Sequence, residues 1–303
     1  MQAFRPGLVH TPVTPFTPDH RVDLDRFGAI LEFHLRNGAD ALALPMHAGE
    51  SVSLSETEKQ SLIAFAVGHI DGRVPLIAHV SNAGSAIAAG LAREAQGLGA
   101  AAIVATTPYY WTPPPVMLLE HFVRIGTAVD VPLFVYNSQE EMAGTRMTTE
   151  LALKLIDALP NFAGLVDLSL DWQFMIELMT EAPRRRPDFQ LLAGTELLVS
   201  AGAIGATGMF SALAGVAPRL VGRLFDLCRV QNFFGARATQ EEIAALRQAT
   251  KSGPAALKAA MRVVGRDCGN PRPPLLPLAA EAGEALAAAL AALPALRDEP
   301  RGW

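Results

Sequence analysis

Val74-Pro75-Leu76-Ile77-Ala78-His79 is a short apolar run. The Ala-rich segment Asn82–Leu98 follows it, then Gly99, then a second run, Ala101-Ala102-Ile103-Val104-Ala105. Neither run alternates apolar with polar residues, which is the pattern of parallel strands buried on both faces. The segment between them is helical in composition, and Gly99 marks its end. The stretch reads as strand, helix, strand: one βαβ unit.

The same reading extends in both directions. Leu8–Val13, Ala39–Pro45, Val131–Tyr136, Phe162–Val166, Gln190–Ala193 and Gly205–Phe210 bring the runs to eight. Most are about 30 residues apart, the length of one strand–helix repeat. Asp23–Asn37 places Leu24, Phe27, Leu31 and Leu35 on one helical face, and Gly38 ends it. Ser55-Glu56-Thr57-Glu58 and Thr148-Thr149-Glu150 supply N-caps with acidic first turns. Eight repeats with right-handed crossovers predict an α/β fold, a (β/α)8 TIM barrel. An open doubly wound sheet would want a glycine fingerprint after the first strand, where Pro18 and polar residues stand. The barrel is assigned to residues 1–230 and a helical extension packed on it to 231–303. Three helices are expected there, at Thr239–Thr250, Gly253–Val264 and Leu278–Leu293, with the Pro-rich Asn270–Pro277 between the last two.

The chain has 303 residues, half of them hydrophobic, and a net charge of −5. That composition supports a large core and offers no basic field for a nucleic-acid backbone. The one dense basic run, Arg184-Arg185-Arg186, lies between two prolines and reads as a solvated loop. Cys228 and Cys268 make neither a disulfide framework nor a zinc cluster. The most apolar stretch, Leu278–Leu296, is broken by Glu281 and Glu284, so no membrane span is expected. A cytoplasmic protein is expected, with no nucleic-acid or membrane partner.

Barrel enzymes carry their chemistry where the strands end, so the polar residues there are the informative ones. They are Thr11 and Thr14, then Met46–Ser51, His79, Thr106–Tyr110, Tyr136-Asn137, Asp167, Gly194-Thr195-Glu196, and Met209 with Ser211. His47 and His79 are expected on neighbouring strands with Asp167 across the mouth, an arrangement suited to acid–base work. Their spacing matches no metal signature, and no metal is assigned.

Gly49-Glu50-Ser51 with Leu54-Ser55-Glu56, Thr107-Pro108-Tyr109-Tyr110, Tyr136-Asn137, Leu192-Ala193-Gly194 and Pro254 through Met261 occur in a recognisable order and spacing. Over about residues 5–295 the chain resembles the dihydrodipicolinate synthase / N-acetylneuraminate lyase family. The resemblance implies a (β/α)8 barrel with three C-terminal helices, usually a homotetramer built as a dimer of dimers. It implies a class I aldolase or dehydratase binding a small 2-oxo acid as a Schiff base on a strand-6 lysine, with no further cofactor. It assigns Tyr110 and Tyr136 to the relay tyrosines. Ala48, Gly49, Glu50, His79 and Met209, at or just after the strand ends, are the expected substrate-binding residues.

Three positions depart from that pattern. The strand-6 lysine position is Val166, within Gly164-Leu165-Val166-Asp167, and valine has no amine. The whole lysine set is Lys59, Lys154, Lys251 and Lys258. The first two are expected on outer helices and the others in the extension. The Thr-Thr pair of the strand-2 loop is His47-Ala48, whose neighbouring backbone amides could still hold an anion. The arginine after strand 5 is missing from Ser138-Gln139-Glu140-Glu141, and Arg146 is the nearest cation downstream. Two readings follow. One is a lyase acting on a small 2-oxo acid or related carbonyl compound without a lysine; its candidate catalytic residues are Tyr110, Tyr136, His47 and Asp167. The other is an inactive relative that binds a small ligand or serves assembly or regulation. Both allow a homo-oligomer, dimer or tetramer. Val166 excludes the standard Schiff-base mechanism.

Overall fold

A computed structural model describes residues 4–138, 145–251 and 253–303. Eight parallel strands close into a barrel in sequence order. They are β1 (Leu8–His10), β2 (Ala41–Leu44), β3 (Leu76–His79), β4 (Ala102–Thr106), β5 (Leu133–Asn137), β6 (Phe162–Asp167), β7 (Gln190–Ala193) and β8 (Gly208–Ser211). The barrel helices are α1 (Leu24–Arg36), α2 (Glu56–Ile70), α3 (Ser85–Gly97), α4 (Pro115–Gly126), α5 (Thr149–Ala158), α6 (Trp172–Arg185), α7 (Leu198–Ile204) and α8 (Pro218–Arg229). The extension adds α9 (Phe233–Ala249), α10 (Pro254–Val263) and α11 (Ala280–Ala291). The fold is the expected TIM barrel with a helical extension.

Local chemistry explains the boundaries. The Ser55 side chain accepts the Glu58 amide while Glu58 bonds back to the Ser55 amide, a capping box that starts α2. Asp23, Thr148 and Asp171 cap α1, α5 and α6 in the simpler way. β1 stops at His10, before Pro12, which has no N–H to donate. α9 begins at Phe233, earlier than the expected Thr239, because the Asn232 side chain accepts the Gly235 amide and caps it.

Two apolar layers hold the barrel. Inside, Phe134 and Phe210 interdigitate with Ala41, Ala43 and Ala102, large against small. Outside, the opposite strand faces meet the helices in one continuous core. The arginine run is not a solvated loop. Arg184 and Arg185 close α6, and the Arg186 guanidinium donates to the carbonyls of Ile156, Leu159, Pro160 and Phe162. Its planar fork collects the carbonyls left open where α5 ends and β6 begins. Arg272 ties the extension to the β2–α2 connection, donating to Ser53, Glu58 and His20.

Candidate active site

Strand alternation decides which candidates face the barrel axis. In β6, Val166 is fully buried inside the barrel, beside Tyr136, Leu192 and Phe210. Asp167, one residue on, therefore points outward. Its Oδ1 accepts Asn137 Nδ2 at 2.6 Å, and it also takes the Ser169 amide and hydroxyl. Asn137 Oδ1 in turn accepts the Met147 amide at 3.0 Å. Asp167 thus ties β5, β6 and the approach to α5 together, and does not face His47 and His79 across the mouth. Burial raises its carboxyl to about 6, against the opposing bonds from Asn137 and Ser169. Met209 is corrected for the same reason: Phe210 takes the inward position, and Met209 is buried in the outer layer.

The β2 loop is also rearranged from the expectation. Met46–Ser51 forms a tight turn in which the amides of Gly49, Glu50 and Ser51 donate to the carbonyls of Met46, His47 and Met46. Those three amides are spent within the turn. Glu50 turns away from the pocket, and its Oε1 accepts Lys258 Nζ at 2.6 Å. Gly49 is buried, and its carbonyl accepts the Thr14 hydroxyl at 2.7 Å. Ala48 does line the mouth.

Two adjoining cavities remain at the mouth, sharing Met46, His47 and Tyr136. The first continues past Leu168, Thr195 and Glu196 to Arg247 of α9. Glu196 is buried there. Its Oε1 accepts the Ser211 hydroxyl at 2.8 Å, and its Oε2 accepts Arg247 at 2.7 Å. Gly194 admits Leu168 to this floor, since a Cβ at 194 would overlap Leu168 Cδ1. The second cavity contains His79, Ser81, Thr106, Tyr109, Ser138 and Lys59.

Tyr136 is buried, with its ring edge-on to Phe210 at 6.3 Å. Burial pushes its hydroxyl well above the usual tyrosine range. Glu196 adds to that shift and Arg247 opposes it. His79 Nε2 lies 2.7 Å from Ser81 Oγ, which accepts the Thr106 amide. Burial, reinforced by Lys59, lowers His79 to about 3, so its imidazole is neutral. His47 sits on the rim and is also lowered by burial, with Glu50 opposing. Tyr110 is fully exposed with φ 81°, outside both cavities; Tyr109 lines the mouth in its place. Gln139, Glu140 and Glu141, the stretch in which an arginine was expected from the resemblance, lie outside the described residues. Among the described residues, no three His, Cys, Asp or Glu side chains gather to hold a metal.

Lys59 and Arg247 escaped the sequence reading. Lys59 had a usable signal: it lies four residues after the Ser55 cap, and a helix following a barrel strand starts at the mouth. Arg247 had none, because docking of α9 is a tertiary event.

The dihydrodipicolinate synthetase family pattern matches residues 5–293. The 4-hydroxy-tetrahydrodipicolinate synthase of Methanopyrus kandleri is 31% identical over 273 residues, 89% of this chain and 90% of that protein. An uncharacterized DapA-like lyase of Halobacterium salinarum is 32% identical over 290 residues, 95% of this chain and 93% of its own length. The crystal structure of a putative dihydrodipicolinate synthetase from Pseudomonas aeruginosa superposes with a TM-score of 0.90 at 27% identity, covering 97% of this chain and all of that one. On the barrel, its mouth and these matches, the chain belongs to the dihydrodipicolinate synthetase family.

Proposed function

We propose that the protein is a lyase acting on a small 2-oxo acid or related carbonyl compound without a Schiff base on β6. The observation that carries this reading is Val166, buried in the barrel beside a mouth that keeps Tyr136 and adds His47 and Arg247. Without an iminium to draw off electrons, the developing enolate oxygen needs fixed donors. The Tyr136 hydroxyl stays protonated through neutral pH and can donate to that oxygen. The Arg247–Glu196 pair adds a polarised cation at the same cavity. His47 is the accessible base on the rim. A homo-oligomer, dimer or tetramer, is part of the proposal, since Tyr110, Trp111, Val116 and Met117 stand exposed between β4 and the start of α4. So are a cytoplasmic location and the division into a barrel (1–230) and an extension (231–303).

Pyruvate with borohydride, followed by intact mass, tests the lysine-free step: no added mass is expected, and a stable adduct overturns it. A panel of 2-oxo acids and their aldol adducts tests the activity. Tyr136→Phe should lower turnover on the order of a hundredfold while leaving the melting temperature in place. A second reading, binding without turnover, is favoured by one observation: His79, held near 3, is too weak a base for the mouth. Saturable binding with no turnover across the panel would select it.

A further inference from the structure

The second cavity at the mouth is bordered by a cation without an ion-pair partner among the described residues. Lys59 of α2 lines the cavity that contains Tyr136, Ser81, Thr106 and Ser138, and also borders the outer cleft beside Glu94. Among the described residues it makes no ion pair, unlike Lys154, which bonds Glu150, or Lys258, which bonds Glu50. Glu56, on its own helix, is the acid whose field reaches it; Glu94 of α3, beneath it in the outer cleft, is bonded to Gln60. Burial holds the Lys59 ammonium below the usual lysine range, partly offset by Glu56. A second feature of the same cavity is independent of the lysine. Ser138 is 7% exposed, and its hydroxyl is buried with no hydrogen-bond partner among the described residues. An unsatisfied buried hydroxyl costs about 1–3 kcal/mol unless something arrives to bond it. Of the loop amides, those of Gly49, Glu50 and Ser51 are spent inside the turn at Met46–Ser51.

We propose that Lys59 and the Ser138 hydroxyl bind the carboxylate of a small 2-oxo acid, placing its carbonyl against Tyr136. Lys59 pairs with one carboxylate oxygen and Ser138 donates to the other, while the ketone extends toward the cavity that Tyr136 shares with Arg247. Lys59 is a substrate-binding residue in this arrangement. Its amine stays an ammonium and forms no covalent bond. The inference rests on the reading that the mouth accepts 2-oxo acids.

Calorimetric titration compares pyruvate with pyruvamide, which keeps the ketone and loses the charge. In the wild-type protein pyruvate should bind more tightly than pyruvamide. Lys59→Met should weaken pyruvate at least about tenfold and leave pyruvamide unchanged, as expected for loss of one charge-assisted contact. Lys59→Arg should retain most of the affinity, and Ser138→Ala should lose about fivefold. Lys59 is partly buried, and the melting temperature of Lys59→Met checks that the fold is kept. Pyruvate binding by Lys59→Met equal to wild type overturns the inference. So does a borohydride-trapped adduct on Lys59, or the absence of binding by pyruvate, 2-oxobutyrate and 2-oxoglutarate alike. Charge-selective binding through Lys59 without turnover would sustain the inference and sink the lyase reading. Turnover undiminished in Lys59→Met would do the reverse.

Discussion

Glu50 and Lys258, 208 residues apart, form an ion pair of 2.6 Å with both side chains removed from solvent. Lys258 also lies 4.4 Å from the centre of the Phe16 ring, and Glu50 Oε2 accepts the Arg272 amide at 2.8 Å. Burial lowers the Lys258 ammonium, and Glu50 opposes that shift. The pair locks the β2 loop against α10, which is why Glu50 shapes the mouth without lining it. Removing one partner leaves a buried charge alone, at a cost of roughly 3–5 kcal/mol. Urea denaturation of Lys258→Met should show a loss of that order, and adding Glu50→Gln should return part of it. A loss under about 1 kcal/mol would mean that the pair is worth no more than a surface bridge.

Asp167 makes a pH-dependent contribution that can be isolated. Its folded pKa, about 6, lies above the ordinary carboxyl value because of burial. Its contribution to stability is therefore fully present below about pH 4 and is lost as pH rises toward 6. The size is on the order of 3 kcal/mol. His10, lowered to about 3 by burial, acts in the opposite direction, but cancels when wild type is compared with Asp167→Asn. Denaturation curves between pH 4 and 7 should show the variant gaining on wild type as pH rises. A constant difference across that range would rule out a raised carboxyl.

Gly194 and Leu168 should behave as a coupled pair. A Cβ at 194 would overlap Leu168 Cδ1 and crowd the backbone of Asp167. Gly194→Ala is expected to cost about 1–3 kcal/mol by overpacking. Leu168→Ala should recover much of that loss in the double variant, giving a coupling energy above about 0.5 kcal/mol. Simple additivity in a thermal-melt cycle would mean that the strain is carried by the backbone and not by Leu168.

Introducing an amine at Val166 tests the geometry of the mouth. The position is fully buried among Leu192, Phe210 and Tyr136. Burial would depress the pKa of a lysine there and leave a nucleophilic fraction near neutrality. Val166→Lys should therefore gain a borohydride-trapped pyruvate adduct that wild type lacks. The added volume should lower stability by about 1–3 kcal/mol. A folded variant that traps nothing would show that 2-oxo acids do not reach the barrel axis in this chain.

The sequence by itself determined the barrel. Apolar runs, caps and spacing are local signals, and the eight repeats followed from them because a parallel strand needs helices on its outer face. It also determined the central chemical fact, since no lysine stands between Lys154 and Lys251. Part of the site was legible and went unread. If Val166 points inward, the two-residue period of a strand turns Asp167 outward, and the same phase separates Phe210 from Met209. Tertiary structure alone decided the rest. The pairing of Glu50 with Lys258, the entry of Arg247 from α9 and the closure of the turn at Met46–Ser51 join groups that no local period relates. Lys59 reaches the mouth because a long side chain on an outer helix is placed by the cavity it can enter, and that cavity exists only once β2, β3, β4 and β5 stand side by side.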